Sequence, residues 1–269
     1  MLFGNKICEE CGESYDKALA SCPKCHKENK EFLDSKVTKK VVWLPLLQQI
    51  LLFIVGNIGL SIISLMVQII LESTLGSDSV YFSPLTSTFS YVFLIFGLLA
   101  IVFKYFNCFK SSFNKIAPYL WGLLGGVILI ITSIAYSNII NLIHPTTGND
   151  NQSAVVDMIT LLPITSVIVL GIIGPICEEF TYRVGLFNFF LRIKPWLAYF
   201  VTILVFGLIH FNIRSTDIVN ELLNLPSYMI AGGILSFFYH KFGLASSMTA
   251  HVTNNLFSVI VNIIALKAQ

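Results

Sequence analysis

Charge is what this chain has least of: only 12% of its 269 residues are charged, and 55% are apolar. A soluble domain carries about a quarter of its residues as charges, so a water-soluble globule is excluded. The basic and acidic residues, 17 and 15 in number, are also unevenly placed. The first 40 positions hold 15 of them, eight Lys and seven acids. There is no concentrated basic face, because the head's Lys alternate with Glu and the net charge is only +2; a nucleic-acid partner is therefore excluded. With 17 Gly, 9 Pro and 6 Cys, the chain is not collagen-like, disordered or a disulfide scaffold. Internal repeats are missing as well, and with them the inverted-repeat signature of many transporters.

What is present is a polar head followed by a hydrophobic body. Apolar runs near 20 residues, the length that crosses a bilayer, occur at about 42–71, 82–106, 117–141, 161–191, 196–213, 226–241 and 244–266. The expected fold is an all-α polytopic membrane protein of about seven transmembrane helices, with a small N-terminal zinc-ribbon head. Pro45 predicts an interfacial turn before the first span. Lys36, Lys39 and Lys40, then Lys104, Lys110 and Lys115, then Arg192 and Lys194, then Lys241 all fall on one side of this topology. Glu72, Asp78, Asp150 and Asp157 fall on the other, together with a mixed loop of Arg214, Asp217 and Glu221. The positive-inside rule then puts the N-terminus in the cytoplasm and the C-terminus outside a cell membrane, Lys267 mildly opposing. Met1 leads directly into the polar head, so no cleavable signal is expected and the first span serves as the insertion signal. The expected organisation is a zinc ribbon at 1–30, a linker at 31–41, N-terminal transmembrane helices at 42–150 and a second transmembrane core at 151–269, which the family resemblance drawn from its motifs below implies is catalytic.

In the head, Cys8-Glu-Glu-Cys11 and Cys22-Pro-Lys-Cys25 are two CxxC pairs ten residues apart. Four thiolates on two tight turns suit one tetrahedral structural zinc, whose binding folds a segment too short for a core. Gly12 and Pro23 suit the turns, and the pattern resembles the short zinc ribbons at the start of many bacterial membrane proteins. His26 is redundant beside four sulfurs. Two disulfides are the alternative, but they need an oxidising compartment, which the Lys-rich linker argues against. A closed site of this kind supplies no catalysis; it can dock a protein partner.

Ionisable groups at membrane depth need a partner or a task. The fourth span holds Gly174-Pro175-Ile-Cys-Glu178-Glu179-Phe-Thr-Tyr-Arg183. Glu179 and Arg183 share a face at i,i+4 and neutralise each other. Glu178, about 100° around an α-helix from Glu179, needs another reason to be there. The fifth span ends Phe206-Gly-Leu-Ile-His210, and the last contains His251-Val-Thr-Asn-Asn255, again i,i+4. A rise of about 1.5 Å per residue puts Glu178, His210, His251 and Asn255 at one level, roughly 15–20 Å from the cytoplasmic ends of their helices. Pro175 should bend or open its helix. Gly171, Gly174, Gly207, Gly232 and Gly233 allow close packing. Cys177 and Cys108 are inert apolar thiols, His144 and His240 are interfacial, and Tyr182, one turn after Glu178, shares its face and can bond to it.

Glu-Glu-x-x-x-Arg at 178–183, Phe-x-x-x-His at 206–210 and His-x-x-x-Asn at 251–255, in this order on apolar helices, resemble the motifs of the CAAX-protease and bacteriocin-processing (CPBP, or Abi) intramembrane metalloproteases. The resemblance covers about 155–266. It departs from the pattern at Val184, which stands between Arg183 and Gly185. It implies an endopeptidase acting on a peptide or membrane-protein substrate near the cytoplasmic leaflet. Glu178 would be the general base, His210 would hold the water or a metal, His251 and Asn255 would polarise the carbonyl and its oxyanion, and Glu179 with Arg183 would lock the helix face. Glu178, His210 and His251 could also hold a catalytic metal, although a liganded Glu178 is no longer a free base; a metal-free glutamate mechanism competes. Two other readings stand beside the peptidase: a membrane scaffold or sensor that docks a partner on its zinc ribbon, and a small transporter relaying protons through Glu178.

Overall fold

The computed structural model describes residues 4–19, 21–33, 40–145 and 148–268. Met1, Lys36 and Lys39, and most of the expected linker, lie outside the described residues. The head is an antiparallel hairpin of β1 (Asn5–Ile7) and β2 (Ser14–Asp16), with Lys6 opposite Tyr15, followed by a one-turn helix α1 (Lys30–Leu33). Its apolar centre is Cys8, Tyr15, Leu19 and Cys22, so the residues that bury it are in part the residues that could bind metal.

The body is built of α2 (Leu46–Leu75), α3 (Phe82–Tyr105), α4 (Asn107–Phe113), α5 (Ile116–Ile143), α6 (Asp150–Leu161), α7 (Pro163–Leu191), α8 (Pro195–Leu208), α9 (Ile218–Phe242) and α10 (Leu244–Lys267). Six of these are long and apolar enough to cross a membrane. α2 begins directly after Pro45, as expected. Asn149 caps α6 by accepting from the Gln152 amide at 3.0 Å. The chain breaks at Leu162, the residue before Pro163, where proline disfavours helical backbone. α9 and α10 are separated by Gly243 alone, whose φ of +94° is open to glycine at no steric cost.

Two expected spans change. The fifth, expected over 196–213, stops at Leu208; its 14 residues span about 21 Å, short of a hydrocarbon core of about 30 Å. His210 therefore sits in the turn after α8 rather than on the helix. The sixth, expected to begin at Pro226, begins at Ile218 and carries Pro226 inside it. Two short helices, α4 and α6, occupy segments expected as loops.

α7 is the centre of the bundle: half of its most apolar stretch is buried, against 17% for α2, α5 and α10. Ile58, Ile62, Leu65 and Ile69 on α2, and Leu120, Leu124 and Ile131 on α5, form exposed apolar surface, as a lipid-facing wall requires. The chain is a multi-pass membrane protein. Around Pro175, α7 winds as π-helix at Val169–Ile173 and again at Glu179–Phe187. Proline lacks the N–H for an α-type bond, and the opening expected near the site takes this form. Glycines set the approach of neighbours: a Cβ at Gly171 would meet Leu256 at 2.5 Å, and one at Gly207 would meet Met229 at 2.5 Å.

Candidate active site and metal centre

In the head, Cys8 Sγ lies 3.4 Å from Cys25 Sγ and Cys11 Sγ lies 3.6 Å from Cys22 Sγ. All four sulfurs fall within 4.8 Å of one another. A tetrahedron of Zn–S bonds of about 2.3 Å has edges near these spacings, so the residues fit a structural zinc. Each knuckle closes with a residue of positive φ, Gly12 (φ +70°) after Cys11 and His26 (φ +62°) after Cys25. The amides of both return to the first Cys of their pair, at 3.0 and 2.9 Å. His26 thus serves the turn through its backbone, and its side chain is exposed. Backbone hydrogen bonds from Cys11 and Glu10 hold the Cys8 thiol down at about 7. Cys25 is pushed up to about 12, its backbone bond from Lys27 being outweighed by the neighbouring thiols and by burial. Four crowded thiols cannot all ionise unaided; a divalent cation removes that conflict.

In the membrane body, Glu179 and Arg183 are fully buried and paired, Arg183 Nε standing 3.4 Å from Glu179 Oε2. The guanidinium lies over the Phe206 ring at 5.0 Å, an aromatic face that a planar cation favours. The other oxygen of Glu179 faces His251, with Nδ1 to Oε1 at 3.1 Å. His251 Nε2 in turn faces Glu178 Oε2 at 3.6 Å. One imidazole therefore bridges the two consecutive carboxylates. The bridge does not require the two carboxylates to share a face, because the two ring nitrogens point to opposite sides of the imidazole, Nδ1 to Glu179 and Nε2 to Glu178.

Glu178 and His210 line one cleft of about 410 Å³, together with Asn57, Tyr91, Asn151 and Tyr182. His210 Nδ1 bonds to the Phe206 carbonyl at 2.8 Å. A carbonyl only accepts, so Nδ1 carries a proton, and in the neutral ring Nε2 is the nitrogen with the lone pair. The ring is stacked on Tyr228, centroids 4.3 Å apart. The His210 carbonyl accepts from Asn149 Nδ2 at 3.0 Å, and Asn149 Oδ1 accepts from the Tyr228 hydroxyl at 3.2 Å.

Asn255 is placed differently. Its amide donates to the Leu170 carbonyl at 3.2 Å, within the first π segment, and it does not line the cleft. Tyr182 does not reach Glu178; its hydroxyl donates to Asn57 Oδ1 at 2.7 Å, across to α2. Among the described residues, the four cysteines form the one group of three or more His, Cys, Asp or Glu side chains with ligand atoms all within 4.8 Å. Glu178, His210 and His251 are not gathered that closely, so as they stand they do not form a ready ligand set for a catalytic metal.

Several contributors escaped the sequence. Asn57 is an amide near the middle of an apolar span, a signal that was there to be read. Glu221, expected in an outer loop, is buried, and its carboxylate accepts from the backbone amides of Asp150 at 2.9 Å and Asn212 at 3.0 Å. It thereby staples α6 to the turn that carries His210. Arg192, expected as a cytoplasmic loop charge, is buried beneath the head and paired with Asp16.

The three motifs fall inside one recognisable stretch. Residues 160–257 match the family described as type II CAAX prenyl endopeptidase Rce1-like. The stretch is thus similar to that family over about a third of the chain. The resemblance drawn from residues 178–183, 206–210 and 251–255 is thereby borne out, and the Rce1-like stretch comprises α7 to α9 and most of α10. The UPF0177 protein YvdC of Lactococcus lactis subsp. lactis is 23% identical over 231 residues, covering 84% of this chain and 78% of its own. No solved structure matches the chain.

Proposed function

We propose that this chain is an intramembrane endopeptidase that hydrolyses a peptide or membrane-protein segment with a water activated by Glu178, its Rce1-like stretch supplying the catalytic groups. The observation that carries the reading is that Glu178, which His251 Nε2 approaches to 3.6 Å, lines the same cleft as His210. A water between Glu178 and the free Nε2 of His210 gives one hydrogen to each acceptor and turns a lone pair toward a scissile carbonyl. Glu178 takes the proton as that water attacks, the step at which a positioned general base acts. Glu179 accepts from His251 Nδ1–H, fixing the tautomer and aiming Nε2 at Glu178, much as a buried carboxylate orients a catalytic imidazole. The Glu178–His251 pair then returns the proton to the leaving amine. With Nδ1–H held by Glu179, His251 serves the oxyanion as a donor through Nε2–H in the doubly protonated ring, after Glu178 has passed it the water's proton. Asn255 joins it only by exchanging the Leu170 carbonyl for the substrate's; until then its bond pins the π turn that opens α7.

No step here runs through a metal, because Glu178, His210 and His251 do not form a closed ligand set. The head fits zinc in a structural role. With the N-terminus in the cytoplasm, as the positive-inside distribution of Lys implies, the cleft takes part of its polar lining from Asn151 and the His210 turn, away from the Lys-rich ends of the helices.

The test is cleavage of quenched peptides by purified protein in heavy-oxygen water. Hydrolysis places the heavy oxygen in the new C-terminal carboxylate, and His210→Ala slows its appearance. Unchanged hydrolysis in His210→Ala contradicts the water-holding role. Chelator insensitivity in a variant lacking the four cysteines supports the metal-free course, and chelator inhibition overturns it.

A further inference from the structure

Hydrolysis of a peptide bond needs donors as well as a base. When water adds to the scissile carbonyl, an electron pair moves onto the carbonyl oxygen, and that oxyanion is best met by a hydrogen already in place. The groups expected for this are committed elsewhere. Asn255 gives its amide to the Leu170 carbonyl. His251 Nδ1 faces Glu179, and its other nitrogen gains a proton only after Glu178 has taken one from the water. A donor is therefore lacking at the moment the charge first develops.

Four hydroxyls line the cleft, those of Ser61, Tyr91, Thr181 and Tyr182. Three of them donate within the protein: Ser61 to the Asn57 carbonyl at 3.1 Å, Thr181 to the Cys177 carbonyl at 2.8 Å and Tyr182 to Asn57 Oδ1 at 2.7 Å. Among the described residues nothing accepts from the Tyr91 hydroxyl, and it keeps accessible surface in the cleft that the residue lines.

The ring that carries this hydroxyl is held. Tyr91 projects from α3 and packs on the apolar core of the bundle. A Cβ on Gly174 would meet its Cε1 at 3.7 Å and its Cζ, the carbon that bears the hydroxyl, at 3.9 Å. Gly174–Glu178 is an α-helical stretch of α7, so these two residues, four apart, share a face. Tyr91 thus rests on the face of α7 that bears Glu178, about 6 Å along the axis from it.

We propose that Tyr91 is a catalytic residue, the neutral donor that meets the scissile carbonyl oxygen as it becomes an oxyanion; the proposal rests on the peptidase reading. The water oxygen bonds to the carbonyl carbon, Glu178 takes the water's proton, and the Tyr91 hydroxyl tightens its hydrogen bond to the oxyanion without giving up its own proton. The oxyanion's pair then re-forms the carbonyl and the C–N bond breaks. Its pair stays on nitrogen, which takes the proton held by the Glu178–His251 pair. A phenol suits this task, because it stays protonated at neutral pH and bonds strongly to an anionic oxygen. α3 lies outside residues 160–257, so none of the three motifs contains this group.

The experiment compares full-length wild type, Tyr91→Phe, Glu178→Gln and protein fluorinated beside the hydroxyl of Tyr91. The probes are a quenched peptide and its phosphinate analogue, whose tetrahedral P–O⁻ stands where the oxyanion forms. Tyr91→Phe keeps the ring and its packing, so unfolding temperature and KM stay at wild-type values. Its kcat falls about a hundred- to a thousandfold, as for the loss of one oxyanion donor. The phosphinate binds more weakly by a similar factor, because such an analogue reports transition-state contacts. At mildly acidic pH, where both phenols keep their protons, the fluorinated ring is the stronger donor and cleaves faster than wild type, which a merely structural tyrosine would not do. Wild-type kcat in Tyr91→Phe overturns the inference, as does a loss confined to KM, an unchanged phosphinate affinity or a fluorinated protein no faster than wild type. If Glu178→Gln abolishes cleavage while Tyr91→Phe does not, the role of Tyr91 alone has failed; a wild type that cleaves no peptide overturns both readings.

Discussion

The two walls of the cleft pack closely at Gly56, and an added methyl there has a calculable consequence. A Cβ at Gly56 would stand 2.0 Å from Thr181 Oγ1, 2.4 Å from its Cγ2 and 2.7 Å from its Cβ. Carbon atoms rest about 3.5–4.0 Å apart, so the shortfall exceeds 1 Å. Rotating Thr181 clears Oγ1 and Cγ2, at the cost of the hydrogen bond from its hydroxyl to the Cys177 carbonyl at 2.8 Å, but leaves Cβ at 2.7 Å. α2 and α7 must therefore separate. Overpacking of this kind costs about 1–3 kcal/mol. It also strains the neighbouring Tyr182–Asn57 bond, so Gly56→Ala lowers both thermal stability in detergent and the rate of peptide cleavage. Thr181→Ala keeps the offending Cβ and rescues little, whereas Thr181→Gly in the Gly56→Ala background restores most of the loss. Wild-type stability and rate in Gly56→Ala would refute the packing argument, and so would a loss that Thr181→Gly does not relieve.

Three further outcomes follow from the same geometry. Arg183→Ala strands the buried Glu179 carboxylate and destabilises the protein by about 3–5 kcal/mol, while Glu179→Gln/Arg183→Met recovers much of the stability without the activity; equilibrium unfolding and cleavage assays check both. Glu221→Ala leaves two backbone amides without their acceptor, at about 1–3 kcal/mol for each buried group. It lowers cleavage through the His210 turn, and Glu221→Gln, which keeps one acceptor oxygen, is milder in both readouts. In the head, Cys25 stays protonated through neutral pH and Cys8 titrates at about 7. Metal binding must expel the Cys25 proton at any neutral pH and the Cys8 proton below about 7, so affinity rises with pH across this range. Competition with a metal-sensitive dye at several pH values measures this, and a pH-independent affinity contradicts it.

The candidate site residues were legible because charge and imidazole are so scarce in this body that Glu178, His210 and His251 stand out against it. Counting helical rise placed them at one depth, and the Glu178–His251 contact agrees. The rule failed where the winding changes. Nothing in the residues of 169–173 and 179–187 announces π turns, and these give Asn255 the Leu170 carbonyl as its partner and carry Tyr182 across to Asn57. Arg192 and Glu221 were misplaced for a different reason. A charge at the edge of an apolar run ordinarily faces water, and whether it is buried depends on a partner that the local sequence does not contain. Arg192 finds Asp16 at a separation of 176 positions. The end of α8 was likewise hidden: the apolar residues run on to Ile213, but Asn149 and Glu221 bond to the backbone after Leu208 and hold it out of the helix. The six long helices and the cysteine knuckles, by contrast, are specified locally, by run length and by spacing.

Glu178→Gln keeps the size and shape of the side chain and removes only its ability to accept a proton. The initial rate of peptide cleavage by this variant, compared with wild type at equal zinc content and equal unfolding temperature, addresses the hydrolytic role directly. A general base contributes typically 10²–10⁴-fold, so a rate at least about a hundredfold lower is the expected result. Equal rates for the two proteins would show that the cleft's carboxylate does not activate the water.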